Sequence, residues 1–283
     1  MNQIIFISDF FKDGPVAGGA ELHDDVVISH LRSIKVLYAV ENSYNVTLDF
    51  LKTHKDKIFI ISNFTHLPFE SIVFLTQYCK YILYEHDYKF IDIRNPIFFK
   101  DFIVPRNRII NVNFYKKALK IVCLSKMHRK IFEDNLGFSN IVNLNCSMWC
   151  DEDLEIIEKL SQIPKNNKYA IIDSPNPIKK TAQTIDFCQQ NNMDFELISS
   201  KNYHKFMGLL APYFSLAFMT GHPEPTPRIA IEAKMLRCNF LSQSNLISVA
   251  HEDYFHLEGT DMIEKVRNLR EKSLDKIVSW ADV

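Results

Sequence analysis

Short apolar runs alternate with amphipathic stretches along the 283 residues. In the first half, IIFIS (4–8), IKVLYAV (34–40), KIFIIS (57–62), YILYE (81–85), KIVCLS (120–125) and IVNLN (141–145) read as buried strands. Helical patterns lie between them: from about 20, near 46–54, over 68–78 and over 126–136. The stretch HDYKFIDIRNP after the fourth strand carries few periodic signals. The alternation pauses at 146–167, where a helix near 151–161 precedes the polar segment PKNNK. It restarts with YAIID (169–173), a helix near 179–192, FELIS (195–199), a helix near 202–211 and an apolar strand at 214–219. A helix at 227–237 follows, and two amphipathic helices, 260–270 and 272–281, close the chain. Strands alternating with helices predict parallel, doubly wound sheets. The expected division is an N-terminal Rossmann-like domain (1–150), a second one (151–270) and a C-terminal helix (271–283).

Composition narrows the class. With 47% hydrophobic and 24% charged residues the chain is globular, and a net charge of −1 excludes a globally basic nucleic-acid binder. The N-terminus has no basic segment followed by a long apolar run, and no run approaches a membrane span, so a cytoplasmic location is expected. Six cysteines without a CxxC pair suit thiols in a reducing compartment.

The candidate chemistry centres on AFMTGHPEPTPRIAIEAKMLRCNF (217–240). Thr226 is placed to cap the helix and Pro227 suits its first position. Ile229, Ala233 and Leu236 recur at helical spacing and are expected to face the core, leaving Arg228 and Glu232 on another face. Beyond the carboxyl end of a parallel strand, such a helix start offers the amides of Arg228 and Ile229 to a phosphate. Glu224 and Glu232 spell E-x7-E. An ordinary exposed Arg228–Glu232 pair and a plain loop carboxylate fit the same residues.

Elsewhere, GPVAGGAELHD (14–24) follows the first strand, and Gly18 and Gly19 would let backbone approach a phosphate or sugar, although a simple turn fits equally. YEHDYK (84–89) sets His86 at a strand end, where a proton shuttle or a structural histidine are both compatible. Asp151-Glu152-Asp153 sits where a helix begins and complements its dipole, and the HEDYFH stretch lacks a complete ligand set, so no metal is expected. From 97 to 130, nine Lys or Arg face one acid, with Phe98, Phe99, Phe102, Phe114 and Tyr115 interleaved. Arg106, Arg108, Lys116 and Lys117 are candidates for a phosphate-rich acceptor, against a solvated charged face over an aromatic core. No G-x-S-x-G, P-loop or HExxH occurs.

Taken together, the GG loop with GAEL, HD after a mid-domain strand, LSK at 124–126 and EPTPRIAIEA resemble the GT-B glycosyltransferases, most of all the family 4 retaining enzymes. The resemblance implies two Rossmann-like domains facing a central cleft that binds a nucleoside-diphosphate sugar. It implies that Glu232 holds the ribose, Glu224 the donor sugar and the amides near Arg228 and Ile229 the diphosphate. It also implies that Gly18, Gly19 and His86 approach from the acceptor domain, without a cofactor or metal. Family members carry an Arg and a Lys after the first strand of the second domain; here SPNPIKK supplies Lys179 and Lys180, and no Arg matches. Arg228 is the expected substitute for that Arg. The expected activity is retaining transfer of a hexosyl or similar sugar to a glycan or lipid-linked acceptor. Glycosylation of hydroxymethylated bases in bacteriophage duplex DNA and non-catalytic nucleotide-sugar binding are the alternatives.

Overall fold

The computed structural model describes residues 2–14, 18–242 and 245–282 and divides into two compact units, residues 1–148 with 269–283, and residues 149–268. Unit 1 runs β1 (Ile4–Ser8), α1 (Gly19–Ser33), β2 (Leu37–Asn42), α2 (Leu48–Thr53), β3 (Ile58–Ile61), α3 (Phe69–Tyr78), β4 (Lys80–Tyr84), α4 (Val112–Lys117), β5 (Lys120–Cys123), α5 (Lys126–Leu136) and β6 (Ile141–Asn143). Unit 2 contains α6 (Asp151–Leu160), β7 (Tyr169–Ile172), α7 (Thr181–Gln190), β8 (Phe195–Ile198), α8 (Tyr203–Leu210), β9 (Ser215–Ala217), α9 (Arg228–Met235) and β10 (Asn239–Leu241). The last helix, α10 (Gly259–Trp280), begins in unit 2, and its residues from 269 belong to unit 1.

Both sheets are parallel throughout their named strands: β2-β1-β3-β4-β5-β6 in unit 1 and β10-β9-β7-β8 in unit 2. The inner strands β1 and β3 are buried at every position. Their uninterrupted apolar runs follow from helices covering both faces. Ile5, Ile7, Phe59, Ile61, Leu83 and Ile121 share one core with Phe114, Tyr115 and Phe132 from α4 and α5. In unit 2, Lys165 Nζ donates to the carbonyls of Ala211 and Leu236, at 2.6 Å for Leu236, tying down the ends of α8 and α9. Those carbonyls lack partners within their own helices.

Several expected boundaries move for identifiable reasons. β2 starts at Leu37 rather than 34, because Ile34, Lys35 and Val36 close α1. Lys35 takes a left-handed φ of 61° while its N–H bonds Arg32 O and that of Val36 bonds Leu31 O. This is the work a C-terminal glycine usually does. Arg237 (φ 58°) and Asn192 (φ 52°) end α9 and α7 in the same way. The two expected terminal helices are one, α10, since LREKS at 269–273 contains neither Gly nor Pro to break it. Helix α4, in the basic stretch before β5, is not anticipated from the sequence.

Lys35 is exposed and holds its left-handed conformation against Cβ sterics. Lys35→Gly is therefore expected to raise unfolding stability by ~0.5–1 kcal/mol, after allowing for glycine's freer unfolded chain, as read from denaturant midpoints.

Candidate functional site

In unit 2 the topology reverses between β7 and β9, whose neighbours β8 and β10 lie on opposite sides. The loops leaving the carboxyl ends of these two strands therefore start at the switch point, the usual ligand position in such sheets. The loop after β7 ends in a 3₁₀ turn, Pro177–Lys179, capped by Asn176, whose side chain accepts from Ile178 N at 3.0 Å. Gly221 N donates to Ile178 O at 2.8 Å, linking this turn to the loop after β9. A Cβ on Gly221 would stand 2.7 Å from Lys180 Cε, so this close approach requires glycine unless Lys180 moves.

Two carboxylate–cation pairs lie along this edge. Lys179 Nζ meets Glu224 Oε1 at 2.9 Å and stands 5.4 Å from the Phe218 ring centroid. Glu224 is fixed by its backbone, its N–H bonding Leu246 O at 2.9 Å and its carbonyl accepting from Ser248 N at 3.2 Å. The second pair is Arg228 Nε with Glu232 Oε1, at 3.3 Å. Arg228 is 6% exposed and Glu232 3% exposed, so the exposed-pair reading is corrected: this pair is inside the protein. The Arg228 guanidinium lies 4.4 Å from the Trp149 ring centroid and 5.6 Å from that of Tyr203. Trp149 Nε1 and Tyr203 OH both donate to Glu232 Oε1, at 2.9 and 2.8 Å. Asp153 adds a second carboxylate 4.0 Å from Arg228 and accepts from His204 Nε2 at 2.8 Å. A buried charge needs this density of partners because desolvation is otherwise prohibitive.

The local geometry of α9 departs from the expectation. The helix starts at Arg228 with Pro227 as its N-cap, and the Thr226 hydroxyl donates to Pro225 O at 2.7 Å instead of capping. Ile229 is half-buried, while Ala230 and Ile231 are fully buried beside Ala233 and Leu236. The core-facing stripe is thus shifted, because Trp149 and Tyr203 receive the polar side of the helix as well. Lys180 adopts φ 51° and precedes α7, whose Thr184 N bonds its carbonyl at 2.9 Å.

In unit 1, His86 Nε2 meets Asp24 Oδ1 at 2.8 Å, and Ser8 Oγ donates to Asp24 Oδ2 at 3.3 Å. A carboxylate on one ring nitrogen fixes the orientation of the imidazole. His23, ring to ring 5.1 Å from His86, accepts from Met148 N on Nδ1 and faces Tyr84 OH through Nε2 at 2.6 Å. Asp9, at the end of β1, is a structural tie. It accepts from Thr65 N at 2.9 Å and His66 N at 3.1 Å, and from Ser43 Oγ. Burial works against its charge, but these hydrogen bonds hold its carboxyl below the usual range. Gly18 caps α1, its N–H donating to Glu21 Oε2 at 2.8 Å, and Gly19 is the first helical residue; the loop residues 15–17 lie outside the described residues.

Beside His86 lies a buried charge cluster. Lys89 Nζ reaches Glu85 Oε2 at 3.0 Å and Asp87 Oδ1 at 3.1 Å, and Arg94 pairs with the other Asp87 oxygen. Burial opposes the Asp87 charge, yet Lys89 and Arg94 hold its carboxyl down at about 2. His128 accepts from Leu124 N at 3.3 Å and donates to Asp87 O at 3.1 Å, and burial pulls its pKa down to about 3.

The basic residues between 97 and 130 do not share one face. Arg108 Nε meets Asp92 Oδ2 at 2.5 Å, whereas Arg129 and Lys130 pair along α5 with Glu133 and Asp134. Lys116 and Lys117 are exposed in the last turn of α4, next to Leu119, whose N–H bonds Tyr81 O near the start of β4. They stand at the amino edge of the sheet, opposite the edge that carries His86. Arg106 is exposed in the loop after β4. Among the described residues no group of three or more His, Cys, Asp or Glu is placed to hold a metal, and no helix is long and apolar enough to cross a membrane.

Asp24, Trp149, Asp153, Tyr203 and His204 are not among the residues the sequence singles out for these roles. Asp24 had a detectable signal, an acid on a helix next to the first strand's carboxyl end; Trp149 and Tyr203 had none, as they meet α9 only in three dimensions.

No protein-family model matches the chain, and no curated protein matches it by sequence. Solved structures do match. Anabaena Alr3699/HepE, solved in complex with UDP and glucose, is 13% identical with a TM-score of 0.60, covering 99% of this chain and 100% of that one. The same protein in complex with UDP-glucose gives 14% identity and a TM-score of 0.54, covering 99% of this chain and 92% of that one. The apo form of the lipopolysaccharide outer core galactosyltransferase WaaB is 11% identical with a TM-score of 0.52, covering 98% and 99%. The architecture is therefore the α/β fold of the GT-B class, with parallel sheets in both units.

Two outcomes follow from the buried charges. Arg228→Met would leave Glu232 buried without its cation and is expected to cost ~3–5 kcal/mol, with a smaller loss in the Arg228→Met/Glu232→Gln double variant; a thermodynamic cycle from urea unfolding checks this. The unfolded chain protonates His128 near 6.5 whereas the folded chain resists until about 3. Its contribution is therefore intact above pH 6.5 and is lost as pH falls, by up to ~1.4 kcal/mol per pH unit. His128→Gln should flatten this acid limb in unfolding measured against pH.

Proposed function

We propose that this chain is a glycosyltransferase that moves a sugar, a hexosyl group in the first instance, from a nucleoside-diphosphate donor to an acceptor hydroxyl. The observation that carries this reading is the pair of carboxylate–cation contacts, Lys179–Glu224 and Arg228–Glu232, along the carboxyl edge of unit 2 at its topological switch point. The UDP-containing complexes of HepE, a protein of the same fold, support a UDP-sugar as the first donor to try.

In this reading Lys179, half-buried, is the accessible cation for the diphosphate, with Lys180 beside it. Arg228, oriented by Trp149, Tyr203 and Glu232, supplies a second positive charge, and the amides of Arg228 and Ile229 at the start of α9 add donors next to Thr226. Together these would stabilise the leaving diphosphate as the glycosidic bond breaks. Glu224 addresses the donor sugar hydroxyls. Glu232 addresses the ribose through Oε2, since Oε1 already takes the Trp149 and Tyr203 donors. Gly18, Gly19 and His86 belong to the acceptor side. E-x7-E and the resemblance to family 4 support transfer with retention, in which a diphosphate oxygen takes the acceptor proton and no metal or cofactor is needed.

A second stereochemical reading is favoured by the 2.8 Å His86–Asp24 contact: an oriented imidazole suits a general base, as an inverting transfer requires. The default acceptor is a glycan or lipid-linked saccharide. A duplex-DNA acceptor has less support, since Arg106, Arg108, Lys116 and Lys117 do not line one face.

A thermal-shift series with UDP-, GDP-, ADP- and CDP-sugars is expected to raise the melting temperature with one base only. With that donor, Lys179→Ala and Glu224→Gln should each lower donor-dependent turnover at least ~100-fold. Wild-type rates in both would refute the site, and the anomeric configuration of the product decides between retention and inversion.

A further inference from the structure

Beyond His86, the chain up to α4 makes a long surface excursion that the saccharide-transfer reading does not use. Its base is closed by an antiparallel bridge between Ile91 and Ile109, with Ile110 N donating to Phe90 O at 2.8 Å and Asp92 N to Arg108 O at 3.2 Å. Three consecutive 3₁₀ turns, Pro96–Phe98, Lys100–Phe102 and Arg106–Arg108, form the body. Asn135 of α5 pins it, its side chain accepting from Val104 N at 2.7 Å and donating to Phe102 O at 2.9 Å. The excursion is thus held at both its base and its middle.

Its side chains divide sharply. Phe99 and Phe102 pack against the core and Val104 is buried within it. Ile93, Phe98, Ile103 and Ile110, with Val112 at the start of α4, are exposed instead, Phe98 by 71% and Ile103 by 50%. These are five of the fifteen large apolar side chains exposed among the described residues, gathered within 93–112. One third of the exposed large apolar side chains thus falls within twenty residues, apolar surface that a partner could cover. Lys100 and Arg106 are exposed among them, facing the single acid Asp101.

We propose that this excursion docks the protein on an anionic lipid surface. Apolar side chains enter the headgroup–acyl boundary and the two cations meet lipid phosphates, the combination that holds peripheral proteins at membranes. The side-chain chemistry favours lipid over nucleic acid. Of the aromatic residues interleaved with the basic run, Phe114 and Tyr115 are fully buried and Phe99 and Phe102 are packed inward. Only Phe98 is left to stack on a base, whereas four of the five exposed apolar groups are aliphatic. Base stacking needs aromatic platforms, while aliphatic groups gain by leaving water for an acyl layer.

Co-sedimentation of the full chain with phosphatidylcholine vesicles, with and without phosphatidylglycerol, tests the proposal. Binding is expected to the phosphatidylglycerol vesicles and to weaken with salt. Phe98→Ser/Ile103→Ser and Lys100→Gln/Arg106→Gln should each weaken it, the second pair by about 30-fold at about fivefold per lost cation. Because these side chains are exposed, the melting temperature should not change; a variant that does melt lower is replaced by Phe98→Ser alone, which must still weaken binding. No binding to the anionic vesicles, or binding unchanged in both double variants, overturns the proposal. Binding to a DNA duplex that depends on Lys100 and Arg106 but not on Phe98 and Ile103, without vesicle binding, also overturns it and makes the surface a polyanion site.

Discussion

Because every named strand in both sheets runs parallel, all strand carboxyl ends of a unit lie on one edge, and the helices that follow begin there. Polarity of the sheet therefore decides where chemistry can gather. The chain reverses its direction across the sheet of unit 2 between β7 and β9, and Lys179, Glu224 and the start of α9 gather at that switch point because each follows one of those strands. The same polarity separates residues close in sequence. His86 sits at the carboxyl edge of unit 1, whereas Lys116 and Lys117, ending a helix that leads into β5, are carried to the opposite edge.

Burial of charge is the second organising cost. Arg228 and Glu232, and Lys89 with Glu85, are nearly inaccessible to water, and each group finds an opposite charge within about 3.3 Å. Aromatic rings complete both arrangements, with Trp149 and Tyr203 around Arg228 and Phe64 5.5 Å from Lys89. Replacing such clusters by apolar side chains is often neutral for stability, which makes orientation of neighbouring groups the more economical reason for keeping them. In unit 2 the group so oriented is the helix carrying the E-x7-E carboxylate. In unit 1 the cluster adjoins His86, one residue from both Glu85 and Asp87.

Scarcity of glycine shapes the backbone. With only seven glycines in the chain, α5 ends on left-handed Gly137, whereas α1, α7 and α9 use Lys35, Asn192 and Arg237. At two of the glycines, close approach explains the residue. Gly221 admits the Lys180 side chain, and Gly259, at φ 54°, lies so close to Arg237 that a Cβ would stand 2.5 Å from Nε.

The sequence by itself determined the strand–helix alternation, the parallel sheets and most element positions. Those features depend on local periodicity and on apolar runs long enough to require two covered faces. IIFIS at 4–8 and KMHRKIFEDNL at 126–136 read from the chain with the boundaries they have in the fold. Ends without a glycine or proline marker, as at Lys35 and in the unbroken α10, were not legible, because a left-handed lysine and a continuing helix leave no local trace. For the site, sequence order brought Glu224, Arg228 and Glu232 together, since they lie on one loop and one helix. Only the tertiary structure decided that Arg228 is buried rather than solvated, that Lys179 rather than Lys180 meets Glu224, and that Asp24 partners His86. Each of those outcomes depends on contacts distant in the chain, 25 residues from Arg228 to Tyr203, 45 from Lys179 to Glu224 and 62 from His86 to Asp24, and the neighbours that desolvate a charge are not written beside it.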